Sequence, residues 1–193
     1  EGNADPAARR RWTYAELLAD SERAARALLT KFEPGEHIAI WSGNCPEWII
    51  LQFGIALSGM VLVTVNPAYQ RSELKYVLGQ SRSVGMFYQT SFRGNPMSES
   101  VAAVAGELPE LRECICLDNF STFVVSGSAD TTLPDVDPDD PVMIQFTSGT
   151  TGFPKGAHLH HYGVTNNARL MTLRRGGANG TIDISAMPLF HTG

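Results

Sequence analysis

The chain has 193 residues, 43% of them apolar and 18% charged, with a formal net charge of -5. That balance excludes a disordered tail and leaves no basic footprint for nucleic acid. Three cysteines, Cys45, Cys114 and Cys116, are too few and too odd in number for a disulfide framework, which points to a reducing, cytoplasmic setting.

In chain order, Thr13 and Glu16 form a T-x-x-E capping box. It opens a helix whose apolar spacing falls on Leu17, Leu18, Leu28 and Leu29. Pro34-Gly35 turns the chain into a short buried strand, "HIAIWS". Asn44 is placed to cap a helix from about Pro46 to Ser58, with Pro46 in its first turn. Trp48, Phe53 and Leu57 on that helix read as core. "MVLVTV" is the next strand, "RSELKYVLGQS" an amphipathic helix ending near Gly79, and "VGMFYQT" a further strand. "ESVAAVAGELPEL" predicts another helix before the strand "ECICLD". There Cys114 and Cys116 share a face, but a lone C-x-C supplies only two metal ligands.

From Trp48 to Ala68 no residue is charged, a length that could span a bilayer. Gly59 interrupts it, Asn66-Pro67 ends it, and β-branched residues cluster in its second half. Helix, turn and buried strand is the better reading. No cationic segment or cleavage-like site opens the chain, so no signal peptide is expected. Strands alternating with helices predict an α/β architecture, a parallel sheet covered on both faces.

Residues 126–141, "SGSADTTLPDVDPDDP", are acidic and rich in Pro, Ser and Asp, the composition of a surface loop. They lead into the apolar run "PVMIQF" and then "TSGTTGFPKGA", residues 147–157, where eight of eleven positions are Gly, Ser, Thr or Lys. "HLHHYGVTNNARLMTLRR" reads as the following helix, stopping at Gly176-Gly177, and "TIDISAMPLFHTG" as a last strand and motif.

Strand, Gly-rich loop and helix is an arrangement in which backbone N–H groups converge on an anion. Gly149, Gly152 and Gly156 allow positive φ and close approach of a ligand. Ser148, Thr150 and Thr151 offer hydroxyls, and Lys155 a point charge. It is not a Walker A loop, because Gly156 follows Lys155 where Ser or Thr would be needed. The residues alone leave two readings, a polyphosphate-binding loop or a hydroxyl-rich surface loop. His158, His160 and His161 cluster nearby. His158 and His161 would be i, i+3 neighbours on a helix, yet no Cys, Asp or Glu lies close enough in sequence to complete a zinc site.

"TSGTTGFPKGA" resembles the phosphate-loop signature of the adenylate-forming superfamily: acyl-CoA synthetases, luciferases and peptide-synthetase adenylation domains. "PLFHTG", residues 188–193, is similar to the next motif of that family. "WTYAELLADSERAARAL", "WSGNCPEW" and "VNPAYQRSELKYVLGQS" resemble the N-terminal region of fatty acyl-CoA synthetases. Between about Phe92 and Pro141 the chain is shorter than the family's usual pattern, and no roles are carried over there.

The resemblance implies the N-terminal portion of the adenylate-forming fold, a parallel or mixed sheet with flanking helices. It also implies an AMP-forming acid–thiol ligase that joins a fatty acid to CoA with ATP and Mg²⁺. In it Thr147, Ser148, Gly149, Thr150, Thr151 and Gly152 would wrap the β- and γ-phosphates, and Thr147 would also touch the magnesium. Lys155 would offset charge on the departing pyrophosphate. Phe190 and His191 match the aromatic-His pair beside the acyl carboxylate and the adenylate, and His161 matches a position that packs locally. Lys155 and His191 are the implied catalytic residues.

The implied partners are the fatty acid, ATP and CoA, with no transmembrane segment; a homo-oligomer stays open. A kinase-type enzyme, a non-catalytic nucleotide-binding module, and adenylation of an aryl or amino acid are the rival readings. The family's adenine-stacking motif, ribose-binding acid, hinge and mobile C-terminal domain lie beyond these 193 residues, so the chain by itself is expected to be inactive.

Overall fold

The computed structural model describes residues 5–147, 154–178, 180–182, 184 and 186–191. Six α-helices and six strands are formed by the described residues: α1 (Tyr14–Leu28), β1 (His37–Trp41), α2 (Pro46–Leu57), β2 (Val61–Val65), α3 (Arg71–Gln80) and β3 (Gly85–Tyr88), then α4 (Met97–Ala105), β4 (Glu113–Cys116), α5 (Phe120–Val125), β5 (Pro141–Thr147), β6 (Lys155–His160) and α6 (His161–Arg174).

The strands make one mixed sheet in the order β4-β3-β1-β2-β5-β6, parallel throughout except for β5 against β6. Period-2 alternation sorts the core. Ile38, Ile40, Leu62, Phe87 and Met143 face α1, α2 and α5, whereas Ala39, Trp41, Val63, Met86 and Ile144 face α3 and α4. This is the expected α/β class. The long uncharged run divides into α2, a turn at Gly59 (φ +69) and β2. Among the described residues no helix is long and apolar enough to cross a membrane.

The capping box forms with both bonds, Glu16 N–H to Thr13 Oγ1 at 3.2 Å and Thr13 N–H to Glu16 Oε2 at 2.7 Å. The bonds that its carboxylate accepts from the Thr13 N–H and the Thr13 hydroxyl hold the Glu16 carboxyl below its ordinary range. Of the expected leucines Leu28 is buried and Leu17 and Leu29 are half-buried, whereas Leu18 stands out in solvent; the rest of the buried stripe is Ser21, Ala24, Ala25 and Ala27. The cause is the approach of α2: a Cβ on Gly54 would lie 3.0 Å from Ala24 Cβ and 3.1 Å from the Ser21 carbonyl. At that separation only small side chains fit between the helices.

On α2, Trp48 is core as expected, but Phe53 is 46% exposed. With Tyr14, Leu18, Leu57 and Val136 it lines an open apolar groove of about 520 Å³. Residues 126–140 form no helix or strand. They lie along α1, held by the Arg26 Nε bond to the Thr131 carbonyl (3.2 Å), with Gly127 directly against the backbone of Ala27.

The region after β5 departs most from expectation. Residues 155–160, read in sequence as part of the loop and helix, form a strand antiparallel to β5, pairing Thr147 with Lys155 and Gln145 with Ala157. The backbone there satisfies its N–H and C=O groups on the open edge of β5 instead of in a helix. The helix begins only at His161, capped by the His160 ring, and ends in a Schellman motif with Gly176 at φ +70. The expected strand in "TIDISAMPL" is not formed among the described residues. Ile182 and Ile184 are nearly fully exposed, and without a neighbouring ladder an extended segment is not held as a strand.

Candidate functional site

Because β1, β2, β3 and β5 run parallel, their carboxyl ends at Trp41, Val65, Tyr88 and Thr147 lie along one margin of the sheet. In open α/β sheets that margin is where ligands bind. The connections leaving it are cross-linked. The Trp41 indole N–H donates to the Asn66 carbonyl at 2.9 Å, and Gly43 N–H to Gln89 Oε1 at 3.0 Å. Asn95 Nδ2 donates to the carbonyls of Pro67 and Tyr69 at 3.1 and 3.0 Å. Gly43 is required here, since a Cβ would sit 2.5 Å from the Phe92 ring.

Thr147 ends β5 and Lys155 begins β6, directly opposite each other in the ladder, with Thr147 Oγ1 3.5 Å from the Lys155 carbonyl. Both side chains are exposed. Ser148, Gly149, Thr150, Thr151 and Gly152 lie outside the described residues. Pro154, at the exit of that segment, accepts a hydrogen bond from the Tyr76 hydroxyl of α3 at 3.2 Å.

Gly156 does not take positive φ, contrary to expectation. Its value is space, because a Cβ would meet Ile144 Cγ2 at 2.9 Å. The expected helix N-terminus is also not at the loop. His160 pairs with Pro141 at the other end of β5, so α6 starts about 20 Å away along a seven-residue strand. Anion binding at residues 147–155 would therefore rest on loop amides, hydroxyls and Lys155, without a helix dipole.

Phe190 and His191 come to the same margin. Gln145, a buried residue of β5, reaches the Phe190 carbonyl with Nε2 at 3.5 Å, two residues before Thr147. Residues 188–191 form a turn closed by His191 N–H to the Pro188 carbonyl (3.2 Å), with the Phe190 and His191 rings edge to face, 6.4 Å between centroids. Phe190 is half-buried and His191 exposed. The fold thus brings Thr147, Lys155, Phe190 and His191 to one end of the sheet.

The remaining histidines do not share a helix face. His158 and His160 lie in β6, and only His161 opens α6. His161 is half-buried, its Nε2 has no hydrogen-bond partner among the described residues, and burial lowers its pKa against a smaller opposing pull from Asp140. Among the described residues no three His, Cys, Asp or Glu side chains are grouped to hold a metal.

Asn44 was expected to cap α2. Cys45 is the N-cap instead and makes no side-chain capping bond; burial pushes its thiol pKa up. The Asn44 amide turns to the 187–191 segment, Nδ2 donating to the Met187 carbonyl at 2.8 Å and Oδ1 accepting from Leu189 N–H at 2.9 Å. Sequence reasoning missed Asn44 and Gln145 as site residues. Gln145 carried a signal, as the one amide in the apolar run "PVMIQF".

Comparison with known proteins bears on this arrangement. A family model described as "AMP-binding enzyme" matches residues 4–193. The mitochondrial medium-chain acyl-CoA ligase ACSF2 of Danio rerio is 33% identical, the match covering 86% of this chain and 32% of that protein. Its Homo sapiens counterpart is 31% identical, with 83% and 31% covered. The chain spans about a third of the length of these curated relatives. Among solved structures, the inhibitor-bound N-terminal domain of FACL13 from Mycobacterium tuberculosis superposes with a TM-score of 0.80 at 27% identity, covering 96% of this chain and 46% of that one. Apo MatB from Rhodopseudomonas palustris gives 0.82 at 25%, covering 96% and 36%. By the family match across nearly its whole length, the chain belongs to the AMP-binding enzymes.

Proposed function

We propose that this chain is the N-terminal part of an AMP-forming fatty acid–CoA ligase. A carboxylate oxygen of the acid attacks the α-phosphorus of ATP, and the bond to the bridging oxygen breaks to release pyrophosphate. The thiol of CoA then attacks the acyl carbon, gives up its proton, and AMP leaves with the electron pair. The observation that carries the reading is the convergence of Thr147 and Lys155, across the β5–β6 ladder, with the Phe190–His191 turn reached by Gln145.

In-line substitution at phosphorus depends mainly on positioning and charge neutralisation. Lys155 would offset charge on the leaving pyrophosphate, and residues 147–152 would hold the β- and γ-phosphates. The Phe190–His191 turn would border the acyl carboxylate. Magnesium fits as the companion of ATP rather than as a resident ion, since the described residues offer one hydroxyl, on Thr147, and no carboxylate cluster. The acid is assigned as a medium- or long-chain fatty acid from the resemblance of "VNPAYQRSELKYVL" and "LHHYGVTNNA" to acyl-CoA synthetases; the ACSF2 relatives are medium-chain ligases by name.

The test is pyrophosphate exchange by the natural-length protein across fatty, aryl and amino acids. Fatty acids should drive exchange, and CoA should then yield acyl-CoA. Exchange driven by an amino acid alone, or phosphorylated product without adenylate, would refute the proposal.

A further inference from the structure

We infer that Asn44 is a positioning residue for the Phe190–His191 turn, acting as a two-bond clamp between the β1–α2 connection and residues 187–189. The inference rests on the proposed role of that turn in the adenylation site. Three observations carry it. The first is where the amide points. Its residue stands one position before the Cys45 N-cap, and α2 has no side-chain cap at all, so the amide is not spent on the helix. The Asn44 amide instead spans 143 and 145 residues of sequence to meet Met187 and Leu189.

The second is chemical complementarity. One partner is a carbonyl and the other an N–H, two residues apart on one strip of backbone. A carboxamide presents one donor and one acceptor at matching spacing, so it pairs with that strip as a neighbouring strand would. A carboxylate has no donor and cannot make both bonds.

The third is leverage. Residues 186–191 belong to no helix or strand, and the side chains of 186, 187, 188 and 191 are exposed. Apolar burial within it is limited to the half-buried Leu189, which packs on the core, and Phe190. Besides its own Pro188–His191 closure, the turn is tied to the body of the fold by Asn44 and, at the longer distance of 3.5 Å, by Gln145. Gln145 rises from the sheet and Asn44 from the end of β1, so the turn is gripped from two elements. Releasing the Asn44 grip would loosen the backbone that carries Phe190 and His191 while leaving the sheet core in place.

The experiment compares Asn44→Ala and Asn44→Asp in the natural-length protein. A capping role predicts that Asp works as well as Asn, because both are favoured N-cap residues and negative charge suits a helix N-terminus. A clamp predicts the opposite, since the second Asp oxygen would face the Met187 carbonyl. Both variants should lower kcat for pyrophosphate exchange by on the order of tenfold to a hundredfold, with KM for ATP changed less than about threefold. Melting temperatures should stay within a degree or two of the parent. Hydrogen exchange across 186–191 should quicken on the order of tenfold in both variants, while β1 and β2 amides are unchanged.

Wild-type kcat in Asn44→Asp, or in both variants, overturns the inference. If the parent protein exchanges no pyrophosphate with any acid, the function proposed above fails, and the hydrogen-exchange arm still judges the clamp: unaltered exchange at 186–191 in Asn44→Ala overturns it.

Discussion

Replacing Gly156 by alanine sets two opposing effects against each other just after the 147–155 segment. A Gly→Ala change at negative φ ordinarily stabilises by about 0.4–1 kcal/mol, because the unfolded chain loses freedom. Here the new methyl would sit 2.9 Å from Ile144 Cγ2 and 3.4 Å from the Phe146 ring. Ile144 Cγ2 is bonded directly to a branched Cβ, so it moves only by a χ1 rotation that a β-branched side chain resists. Ile144 is 3% exposed and Phe146 6%, so neither can swing into solvent.

Overpacking of this kind costs about 1–3 kcal/mol, which outweighs the entropic gain over most of that range and leaves a net loss of roughly 0–2.6 kcal/mol. For a chain of this size the melting temperature should fall by up to about 10 °C. Calorimetry or a urea series on Gly156→Ala measures the loss. An Ile144→Ala change in the same background should cost less than it does alone, with a coupling of about 0.5 kcal/mol or more. A variant that melts higher than the parent, or shows no coupling, would mean β6 is not packed on Ile144 as described.

Three further outcomes are expected. The His161 pKa lies below its ordinary value of 6.5 through burial, partly offset by Asp140, so the unfolded chain binds this proton first as pH falls. Its contribution to stability is therefore present above about pH 6.5 and lost as pH drops through the folded-state pKa; His161→Asn should flatten that part of a urea-midpoint profile against pH. Gly54→Val on α2 should lower the urea midpoint by the equivalent of about 1–3 kcal/mol with an unchanged m-value, because its side chain would wedge against Ala24 and the Ser21 carbonyl; an unchanged midpoint would rule out that contact. Lys155→Ala in the natural-length protein should raise KM for ATP by on the order of tenfold to a hundredfold while leaving fatty acid binding nearly unchanged, as isothermal titration and initial rates would show; an unaltered ATP dependence refutes the role.

What could be read from the sequence was whatever periodicity alone decides. β1, β2 and β3 are runs of large apolar residues, and α3 carries Leu74, Val77 and Leu78 at helical spacing, so their class and place followed directly. The misreadings arise where a neighbour distant in sequence decides. "KGAHLH" has neither strong strand composition nor a buried face, and becomes β6 only because β5 offers an open edge. "TIDIS" has better strand composition, yet its described residues join no strand. Leu18 fits the apolar spacing of α1 yet is exposed, because Gly54 draws α2 so close that alanines fill the seam. At the site, Thr147, Lys155, Phe190 and His191 were legible as motif positions. The Asn44 amide was assigned locally to a helix cap, since nothing nearby in sequence reveals a partner 145 residues away.

The strand order also carries a consequence for how the molecule opens. β1 and β2 lie inside the sheet, and all their residues but His37 are buried, so their amides should exchange only with global unfolding. Stability then grades outward to β6, whose residues are exposed but for a half-buried Leu159, and to α6, which buries none of its side chains. That margin can detach at less cost in packed area than the interior strands, giving up the contacts of Gly156, Leu159 and Val164. Lys155 sits on it, while Thr147, its partner across the ladder, is anchored to the interior through β5. The two ends of the 147–155 segment thus belong to regions of different cooperativity. A bound polyanion that engaged both would tie the outer unit to the inner one, and the protection of β6 amides would become a direct gauge of occupancy.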